Sequence, residues 1–417
     1  MQRGSTPLGT TTVIKQGQLE ELCRACRAEG QFAFDTEFVM EDRFEAEVCL
    51  IQVATESLVA LVDPLAGLDL RPLWGMVCDP QIEKVVHAGQ EDFGLCVQHT
   101  GQAPRNVYDV QIAAGLAGCD YPLSLQRLIQ AVLHVRLHKA KTLTDWRRRP
   151  LTDEQMSYAA EDVSYLLAVR RRLNERLSRH SRLDWLREEF SKFEEPSLYR
   201  RVEAEKLLRV KGSGALKGRQ LAIVRELLAW REEVAKHRNR PVRVVLKDHL
   251  LVEIARLELR SFKEVRDLRG LNLSDRDVRG LCQAAEKAIN TPGDQWPVLA
   301  PRDIETPREA SLIALLGAVI RSFCLEHDIA YGLAATKKSI FELVRHCTTG
   351  RPADRSAVEL LNGWRGRVVG EMLESVLAGQ RSIKVEPLDG ECIVRVLPAK
   401  KKTLPETGPQ KGSSETP

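Results

Sequence analysis

Two carboxylates lie two residues apart at the end of an apolar run, in the sequence QFAFDTEFVMED at residues 31–42. Alternate side chains of a β-strand point to opposite faces, so Asp35 and Glu37 would share one face while Phe34 and Phe38 point to the other. Such a pair can be two solvated acids at a strand end. It can also be half of a metal site, because Mg²⁺ prefers hard oxygen ligands held by rigid elements. The choice depends on what the rest of the chain supplies.

Further acids occur where predicted elements could bring them near this pair. Asp92, in HAGQEDFGL, falls in the first turn of a predicted helix, where the helix dipole alone would favour an acid. Tyr158 and Asp162, in MSYAAEDVSYLL, are four residues apart and would share a helix face. Asp109, in VYDVQ, is a fifth candidate, although turn-forming acids next to short strands are frequent. His87, in VVHAG, is better explained as a structural histidine than as a metal ligand.

Together these residue types predict metal-dependent chemistry at phosphorus. Two divalent ions about 4 Å apart can hold the attacking and leaving oxygens of an in-line displacement. Asp35 could bridge both ions, with Glu37 and Asp162 on one of them and Asp92 contributing directly or through a water. The ordinary pKa of tyrosine makes Tyr158 a poor base at neutral pH, so we expect it to orient the attacking water. Mg²⁺ and Mn²⁺ both suit this ligand set.

The elements that would position these residues follow from local patterns. Between residues 11 and 192, short β-rich runs alternate with helical periods, as in an α/β domain. The predicted strands are QFAFDTEF, EVCLIQVAT, SLVALVDPL, IEKVVHAG and a short run within PRNVYDVQIAAGLAG. From SLQRLIQAVLHV onwards the domain is predicted to be helical, with TDEQMSYAAEDVSYLLAVRRRLNERL as one long helix.

Two small helical domains are predicted after the α/β domain, and their boundaries are predicted from the amino-acid composition of the segments between them. They span residues 216–292 and 309–384, where no strand is convincing. The N-terminus, residues 1–10, and the basic tail, residues 385–417, are expected to be disordered. Residues 193–215 are predicted to be a linker, and residues 293–308 a second linker that is rich in proline. A chain of 417 residues is long enough for this organisation.

The composition is that of a globular protein that works inside the cell. A net charge of +4 is too small for a histone-like binder, and an aromatic content of 5% does not favour a broad base-stacking platform. The CRAC sequence at 23–26 lacks a second ligand pair for zinc, so the cysteines are predicted to be reduced thiols. Neither a signal peptide nor a membrane span is evident, which predicts a cytoplasmic protein without a membrane partner.

Local basic clusters could bind phosphates. There are three candidates, KTLTDWRRRP, KHRNRPVRVVLK and PAKKK at 398–402. The candidate substrate-binding residues come from the first two: Trp146, Arg147, Arg148, Arg149, Lys236, Arg238 and Arg240. Phosphate contacts from them would be independent of base sequence and sensitive to salt. The alternative is that Trp146 packs in the core while the arginines form a solvated basic face.

The order of the motifs FDTEF, HAGQEDFGL, YDVQIAAGL, TDWRRRPLT and YAAEDVSYLL resembles the ribonuclease D family. These are 3′–5′ exonucleases of the DEDD superfamily, in the subtype with tyrosine in the third motif. The resemblance covers roughly residues 11–190 and implies a ribonuclease H-like α/β domain with a mixed sheet flanked by helices. It also implies a catalytic set of four metal ligands and a tyrosine that positions the water: Asp35, Glu37, Asp92, Asp162 and Tyr158. One departure is Val110, where relatives often have threonine, which puts the supporting role of Asp109 in doubt.

The helical regions carry a second resemblance. LLAWREEVAKHRNRP and LLVEIAR are similar to an HRDC domain, the nucleic-acid-binding module also found in RecQ helicases, and LLNGWRGRVVGEMLESVLAG looks like part of a second such domain. The expected architecture is therefore an exonuclease domain followed by two small all-α HRDC-type domains.

These resemblances imply a metal-dependent 3′–5′ exoribonuclease that releases nucleoside 5′-monophosphates. The expected substrate is structured RNA with a single-stranded 3′ end, such as a tRNA precursor, and the expected state is a monomer. Two alternatives remain open. One is a DNA exonuclease of the same superfamily, since contacts to the 2′-hydroxyl cannot be read from the sequence. The other is a catalytically silent nucleic-acid-binding scaffold, against which the filled motif positions count.

Overall fold

The computed structural model describes residues 9–137, 145–199, 203–299, 304–388 and 391–398. The chain divides into two compact units, residues 1–304 and 305–417. The first unit contains the α/β domain and the first group of helices. The second unit contains the remaining helices and a β-hairpin.

The α/β domain alternates strands and helices and then becomes helical, as its sequence pattern predicts. Its elements are β1 Thr10–Val13, α1 Gln16–Glu29, β2 Gln31–Val39, β3 Glu47–Ala54, β4 Val59–Val62, α2 Arg71–Val77, β5 Glu83–Val86, α3 Gln90–Thr100, β6 Val107–Asp109, α4 Val110–Leu116, α5 Leu125–Leu133, α6 Asp153–Ser164, α7 Leu166–Arg179 and α8 Leu183–Ser191.

The six strands form one mixed sheet in the order β1-β4-β3-β2-β5-β6. The central pair β2 and β3 is antiparallel, whereas β2 pairs with β5, and β5 with β6, in parallel. Asp35 lies directly opposite Gln52 of β3, and Glu37 lies opposite Leu50. The register shifts after Glu37, at an irregularity next to Phe38. The two acids therefore stand on a central strand, just before its regular pairing is interrupted.

Helices cover both faces of the sheet. On one face the ring of Phe34 lies 6.1 Å from that of Trp74 in α2 and 6.4 Å from that of Phe93 in α3. On the other face α6 contacts β2, β3 and β4, and its Ala159 packs with Leu50. The alternation in QFAFDTEF therefore has the expected result: aromatic rings are buried on one face of the strand, and the acids lie on the other. The mixed sheet flanked by helices is confirmed.

Two details of this domain differ from the sequence prediction. Strand β1 pairs in parallel with β4, so Thr10 belongs to the sheet and not to a disordered N-terminus. The sequence TTTV is short and polar, but β-branched residues favour a strand once a partner is available. The long helix predicted from Thr152 is two helices, α6 and α7, which are separated at Tyr165.

The first group of helices packs around its own core. Its elements are α9 Glu203–Arg209, α10 Arg219–Arg238, α11 Val242–Val245, α12 Asp248–Leu257, α13 Phe262–Arg266 and α14 Asp275–Ile289. The segment 193–215, predicted as a linker, contains α9, and its Leu207 and Val210 are buried in this core. Trp296, in the predicted proline-rich linker, packs against the same core. Hydrophobic burial therefore extends the domain beyond both boundaries that composition indicates.

The second unit combines helices with a hairpin. Its elements are α15 Pro307–Glu326, α16 Tyr331–Ala334, α17 Lys337–Thr349, α18 Gly363–Arg365, a π-helical turn Gly366–Gly370, α19 Glu371–Leu377, β7 Arg381–Leu388 and β8 Glu391–Pro398. The hairpin corrects the prediction that residues 385–417 form a disordered tail. It lies against α15, where Ser322 Oγ accepts a hydrogen bond of 3.0 Å from the backbone N–H of Val394. The last residues of that predicted tail, 399–417, lie outside the described residues.

Among the helices of the described ranges, none is long and apolar enough to cross a membrane.

The burial of α9 yields a stability prediction with an adjacent control. Leu207 is 1% exposed, whereas Leu208 is 43% exposed. Leu207→Ala should lower the free energy of unfolding by about 2–5 kcal/mol through lost burial and a residual cavity. Leu208→Ala should change it by no more than about 0.5 kcal/mol. Urea unfolding of the full chain measures both values, and equal small effects would show that this segment is only a connector.

Candidate active site

A cavity of about 200 Å³ lies next to β2 in the α/β domain. Its lining brings together residues from four parts of the chain: Asp35, His87, Leu125, Tyr158, Asp162 and Leu166. Asp35 comes from β2, while Tyr158 and Asp162 come from successive turns of α6, which packs on the same face. One acid of β2 and the pair Tyr158 and Asp162 of α6 therefore border one cavity, whereas Glu37 and Asp92 are not among its lining residues.

Asp92 reaches the same strand from the first turn of α3. It is 7% exposed, and its Oδ1 accepts a short hydrogen bond from Thr36 Oγ1. Thr36 follows Asp35 in β2, so its side chain points to the opposite face of the strand. No local sequence pattern indicates that it contacts an acid 56 residues away. The hydroxyl fixes the orientation of Asp92, and the positive end of the α3 dipole favours its negative charge.

Asp109 supports the turn that precedes α3. Its carboxylate accepts hydrogen bonds of 3.2 Å from the backbone N–H groups of both Ala88 and Gly89, and one of 2.8 Å from that of Gln111. A side chain at Gly89 would collide with Val86 at 2.6 Å, so this turn requires glycine. Asp109 thus has the supporting role that the departure at residue 110 had put in doubt. An acid that follows a strand and begins a helix is a typical N-cap, and that signal identifies it.

His87 has a structural partner, as the sequence suggested. Its Nε2 donates a hydrogen bond of 2.8 Å to the backbone oxygen of Leu123. The amide of Gln111 donates to the same oxygen at 3.0 Å. These bonds fix the wall of the cavity opposite α6.

Burial raises the pKa values of all four carboxylates, and neighbouring negative charges add to the effect. For Asp35, desolvation by the surrounding protein raises the pKa well above its usual range, and the charges of Asp92, Asp162 and Glu37 raise it further. Desolvation raises the pKa of Glu37 to about 8, that of Asp162 to about 7 and that of Asp92 to about 6. Like charges this close cannot all ionise cheaply without a counter-charge. The electrostatics of the site therefore favour the binding of cations.

Tyr158 keeps its proton at neutral pH. Burial raises its pKa above the ordinary value, and the negative charges of Asp162, Glu37 and Asp35 raise it further. Its hydroxyl is therefore a hydrogen-bond donor on the wall of the cavity. This electrostatic environment agrees with a role in orienting a water and opposes a role as a general base.

The donor set fits hard divalent cations. Asp162 Oδ2 is buried without a hydrogen-bond partner among the described residues, an arrangement that a bound cation would explain. Within the same ranges, however, no three His, Cys, Asp or Glu side chains have an arrangement that could already hold one metal ion. The acids converge on one region, but their side chains are not arranged as a ligand set for one ion.

Trp146 and the three arginines that follow it, near α6, have three different environments. Trp146 is 8% exposed and packs with Leu50 and Ala159, so it is not an open stacking surface. Arg149 forms two hydrogen bonds, of 2.6 and 2.7 Å, with the carboxylate of Asp63. The remaining two arginines are more accessible. Arg147 binds Asp42 at 3.0 Å, and Arg148 is 83% exposed and lies 3.5 Å from the carboxylate of Asp145.

The basic residues after α10 also divide. Arg238 binds the carboxylate of Asp277 at 2.6 Å, whereas Lys236 and Arg240 are exposed. Between them lies Asn239, which the charge pattern did not single out. Its Oδ1 accepts hydrogen bonds from the backbone N–H groups of Phe44 at 3.1 Å and Glu45 at 3.3 Å, in the loop between β2 and β3.

Comparison with known proteins decides the family. The 3′–5′ exonuclease family model matches residues 10–178, and the HRDC domain model matches residues 220–280. Ribonuclease D of Gluconacetobacter diazotrophicus is 32% identical over 392 residues, which cover 93% of this chain and 96% of that protein. This chain belongs to the ribonuclease D family. Ribonuclease D of Pseudomonas paraeruginosa is 33% identical over 86% of this chain and 95% of its own length.

A solved structure of the ribonuclease D family agrees. The crystal structure of Escherichia coli RNase D has a TM-score of 0.75 and 30% identity, and the match covers 89% of this chain and 99% of that one. That protein is described as an exoribonuclease involved in structured RNA processing. The predicted family, fold class and enzyme class are therefore confirmed: the chain is a 3′–5′ exoribonuclease, and its exonuclease fold implies dependence on divalent metal ions. An HRDC domain is shown for the first helical region, and the second one remains a prediction.

The raised pKa values predict how metal-free stability depends on pH. Glu37 and Asp162 bind protons more tightly in the folded protein than in the unfolded chain, so the free energy of unfolding should fall as pH rises from about 4 to about 8. Asp162→Asn should reduce this slope in EDTA and be more stable than wild type at pH 8, by on the order of 2 kcal/mol.

The control is Glu154→Gln, which removes an exposed acid from the same helix. Urea unfolding at several pH values measures all three proteins. An unchanged slope in Asp162→Asn would show that this carboxylate does not contribute to the pH dependence.

Proposed function

We propose that this ribonuclease D-family enzyme trims the 3′ ends of structured RNA, with tRNA precursors as the substrate class, and that it uses two Mg²⁺ or Mn²⁺ ions. It would act as a monomer in the cytoplasm and release nucleoside 5′-monophosphates. The observation that carries this proposal is the convergence of four desolvated carboxylates with raised pKa values and a protonated tyrosine near one cavity. The E. coli relative, an exoribonuclease involved in structured RNA processing, supports the substrate class.

Each catalytic residue has a role that its position supports. The carboxylates of Asp35, Glu37, Asp92 and Asp162 would hold the cations. Bound there, two divalent cations would activate the attacking water and neutralise charge on the leaving oxygen. The hydroxyl of Tyr158 would donate a hydrogen bond to the attacking water and fix its direction. Thr36 would keep Asp92 oriented, and Asp109 would keep the turn before α3 in place.

The accessible basic residues are proposed to bind the phosphates of the RNA. Arg147 and Arg148 adjoin Trp146, whose ring lies 6.1 Å from that of Tyr158, so they are close to the catalytic helix. Lys236 and Arg240 would add phosphate contacts from the HRDC domain. We assign Arg149 and Arg238 to structural ion pairs, because their partners Asp63 and Asp277 are largely buried. The partner of Arg147, Asp42, is exposed, so that ion pair can open to solvent. Trp146 packs against Ala159 and so supports the catalytic helix α6.

The first test compares matched RNA and DNA oligonucleotides, labelled at the 5′ end, together with a tRNA precursor carrying a 3′ extension. We expect shortening from the 3′ end of the RNA with Mg²⁺ or Mn²⁺, release of nucleoside 5′-monophosphates, and loss of activity in EDTA. Asp35→Asn and Asp162→Asn should lower the rate by more than about 100-fold, since even residues that only support metal ligands can cost that much.

Glu154→Gln should cleave like wild type. Preferred degradation of DNA would move the enzyme to the other branch of the superfamily. Metal-independent cleavage, or full activity of both aspartate variants, would contradict the proposed site.

Salt dependence tests the proposed phosphate contacts. In an Asp162→Asn background, Arg148→Ala should weaken binding of single-stranded RNA and reduce the slope of log K against log salt by about 0.7. The matched control is Arg24→Ala, an exposed arginine on α1 that is also paired with an acid. Filter binding at several salt concentrations gives both slopes. Equal slopes for the two variants would exclude Arg148 from the RNA path.

A further inference from the structure

The middle of β3 carries a polar side chain that its own strand does not explain. β3 has the sequence EVCLIQVA and is buried from Val48 onwards. Gln52 within it is 0% exposed. Neither its amide oxygen nor its amide nitrogen has a hydrogen-bond partner in the part of the chain that the structure describes.

The pairing of the sheet directs this amide towards the catalytic acids. Gln52 is directly opposite Asp35 in the antiparallel pair, and residues opposite each other point to the same face with Cβ atoms about 4.5–5.5 Å apart. On its other side Gln52 is opposite Leu61, which packs with Ala159 of α6. The amide therefore lies in the layer between the sheet and the helix that carries Tyr158 and Asp162.

Stability alone does not account for glutamine here. A buried amide without partners destabilises the folded state, and an apolar residue of the same shape would avoid that penalty. Asp162 Oδ2 is likewise buried without a hydrogen-bond partner among the described residues. The acid cluster and the residue opposite Asp35 thus both contain buried polar atoms without partners among the described residues, which a bound cation and the ligand orientation it requires would explain.

We propose that Gln52 is a positioning residue for Asp35. In the cation-bound enzyme its amide nitrogen donates a hydrogen bond to the Asp35 carboxylate and fixes the orientation of that ligand. Supporting hydrogen bonds of this kind orient ligands throughout metal enzymes, and their loss typically lowers metal affinity or activity by about 10–100-fold. The proposal rests on the metal site proposed above and adds a residue to it.

The test separates metal binding from folding. Gln52→Met keeps the length and flexibility of the side chain and removes the amide, and Gln52→Leu is a second variant of similar volume. In EDTA both should unfold at the same urea concentration as wild type or a higher one. With Mn²⁺, calorimetric titration should show about 10–100-fold weaker binding. The rise in Tm at a fixed Mn²⁺ concentration should shrink accordingly.

The control is Ile51→Val, which perturbs the next residue of the strand, on the opposite face. Ile51 is also 0% exposed. It should lose some stability and keep the wild-type Mn²⁺ affinity. A glutamine with a purely structural role would give the reverse pattern, with lower stability in EDTA and unchanged Mn²⁺ affinity, and would overturn the proposal. Equal losses of affinity in Gln52→Met and Ile51→Val would overturn it too.

The two proposals fail differently. If wild-type protein binds no Mn²⁺ and gains no stability from it, the metal site itself is wrong. If wild type binds Mn²⁺ and the Gln52 variants bind it equally well, only the positioning role is wrong.

Discussion

Electrostatic repulsion among desolvated carboxylates is the constraint on which the rest of this structure depends. Asp35 stands beside Glu37 on one strand and interacts with Asp92 and Asp162 from two different helices. Without cations these charges oppose one another and disfavour the folded state at neutral pH. The elements that hold them must therefore be stable for other reasons. The sheet supplies this through aromatic packing on its opposite face, where Phe34 contacts Trp74 and Phe93.

The parts of the site that depend on local periodicity could be predicted from the sequence. Alternation in β2 placed Asp35 and Glu37 on one face, and a spacing of four placed Tyr158 above Asp162. Contacts between distant segments could not be predicted in this way, because nothing in a local pattern specifies the partner. The bond from Thr36 to Asp92 spans 56 residues, and the bonds of Asn239 span about 195. Strand β1 was missed for a related reason, because a short, polar strand forms only where a neighbouring element offers backbone groups. The hairpin β7–β8 is different: its strands have eight residues each, and the valines and isoleucine of ECIVRVLP are a strand signal that could have been used.

The three consecutive arginines after Trp146 show why a basic cluster is a weak predictor of function. Their side chains have the same chemistry, yet Arg149 is held by Asp63, Arg147 by Asp42, and Arg148 is open to solvent. The difference comes from acids 86 and 105 residues away in the sequence. Sequence alone identifies the cluster, and only the tertiary structure separates an arginine that stabilises the domain from one that can meet a phosphate.

The first helical domain is part of what supports the catalytic strand. Asn239 ends α10 in a left-handed conformation and holds the backbone of Phe44 and Glu45, in the loop that follows β2. The same loop carries Asp42, which binds Arg147 next to the catalytic helix α6. A continuous set of hydrogen bonds thus joins the basic end of α10 to the loop after Asp35 and Glu37. Because this loop begins where β2 loses its regular pairing with β3, its geometry is not set by the sheet alone. The HRDC domain therefore contributes to the conformation of the loop that follows the catalytic strand as well as to the basic surface of the chain.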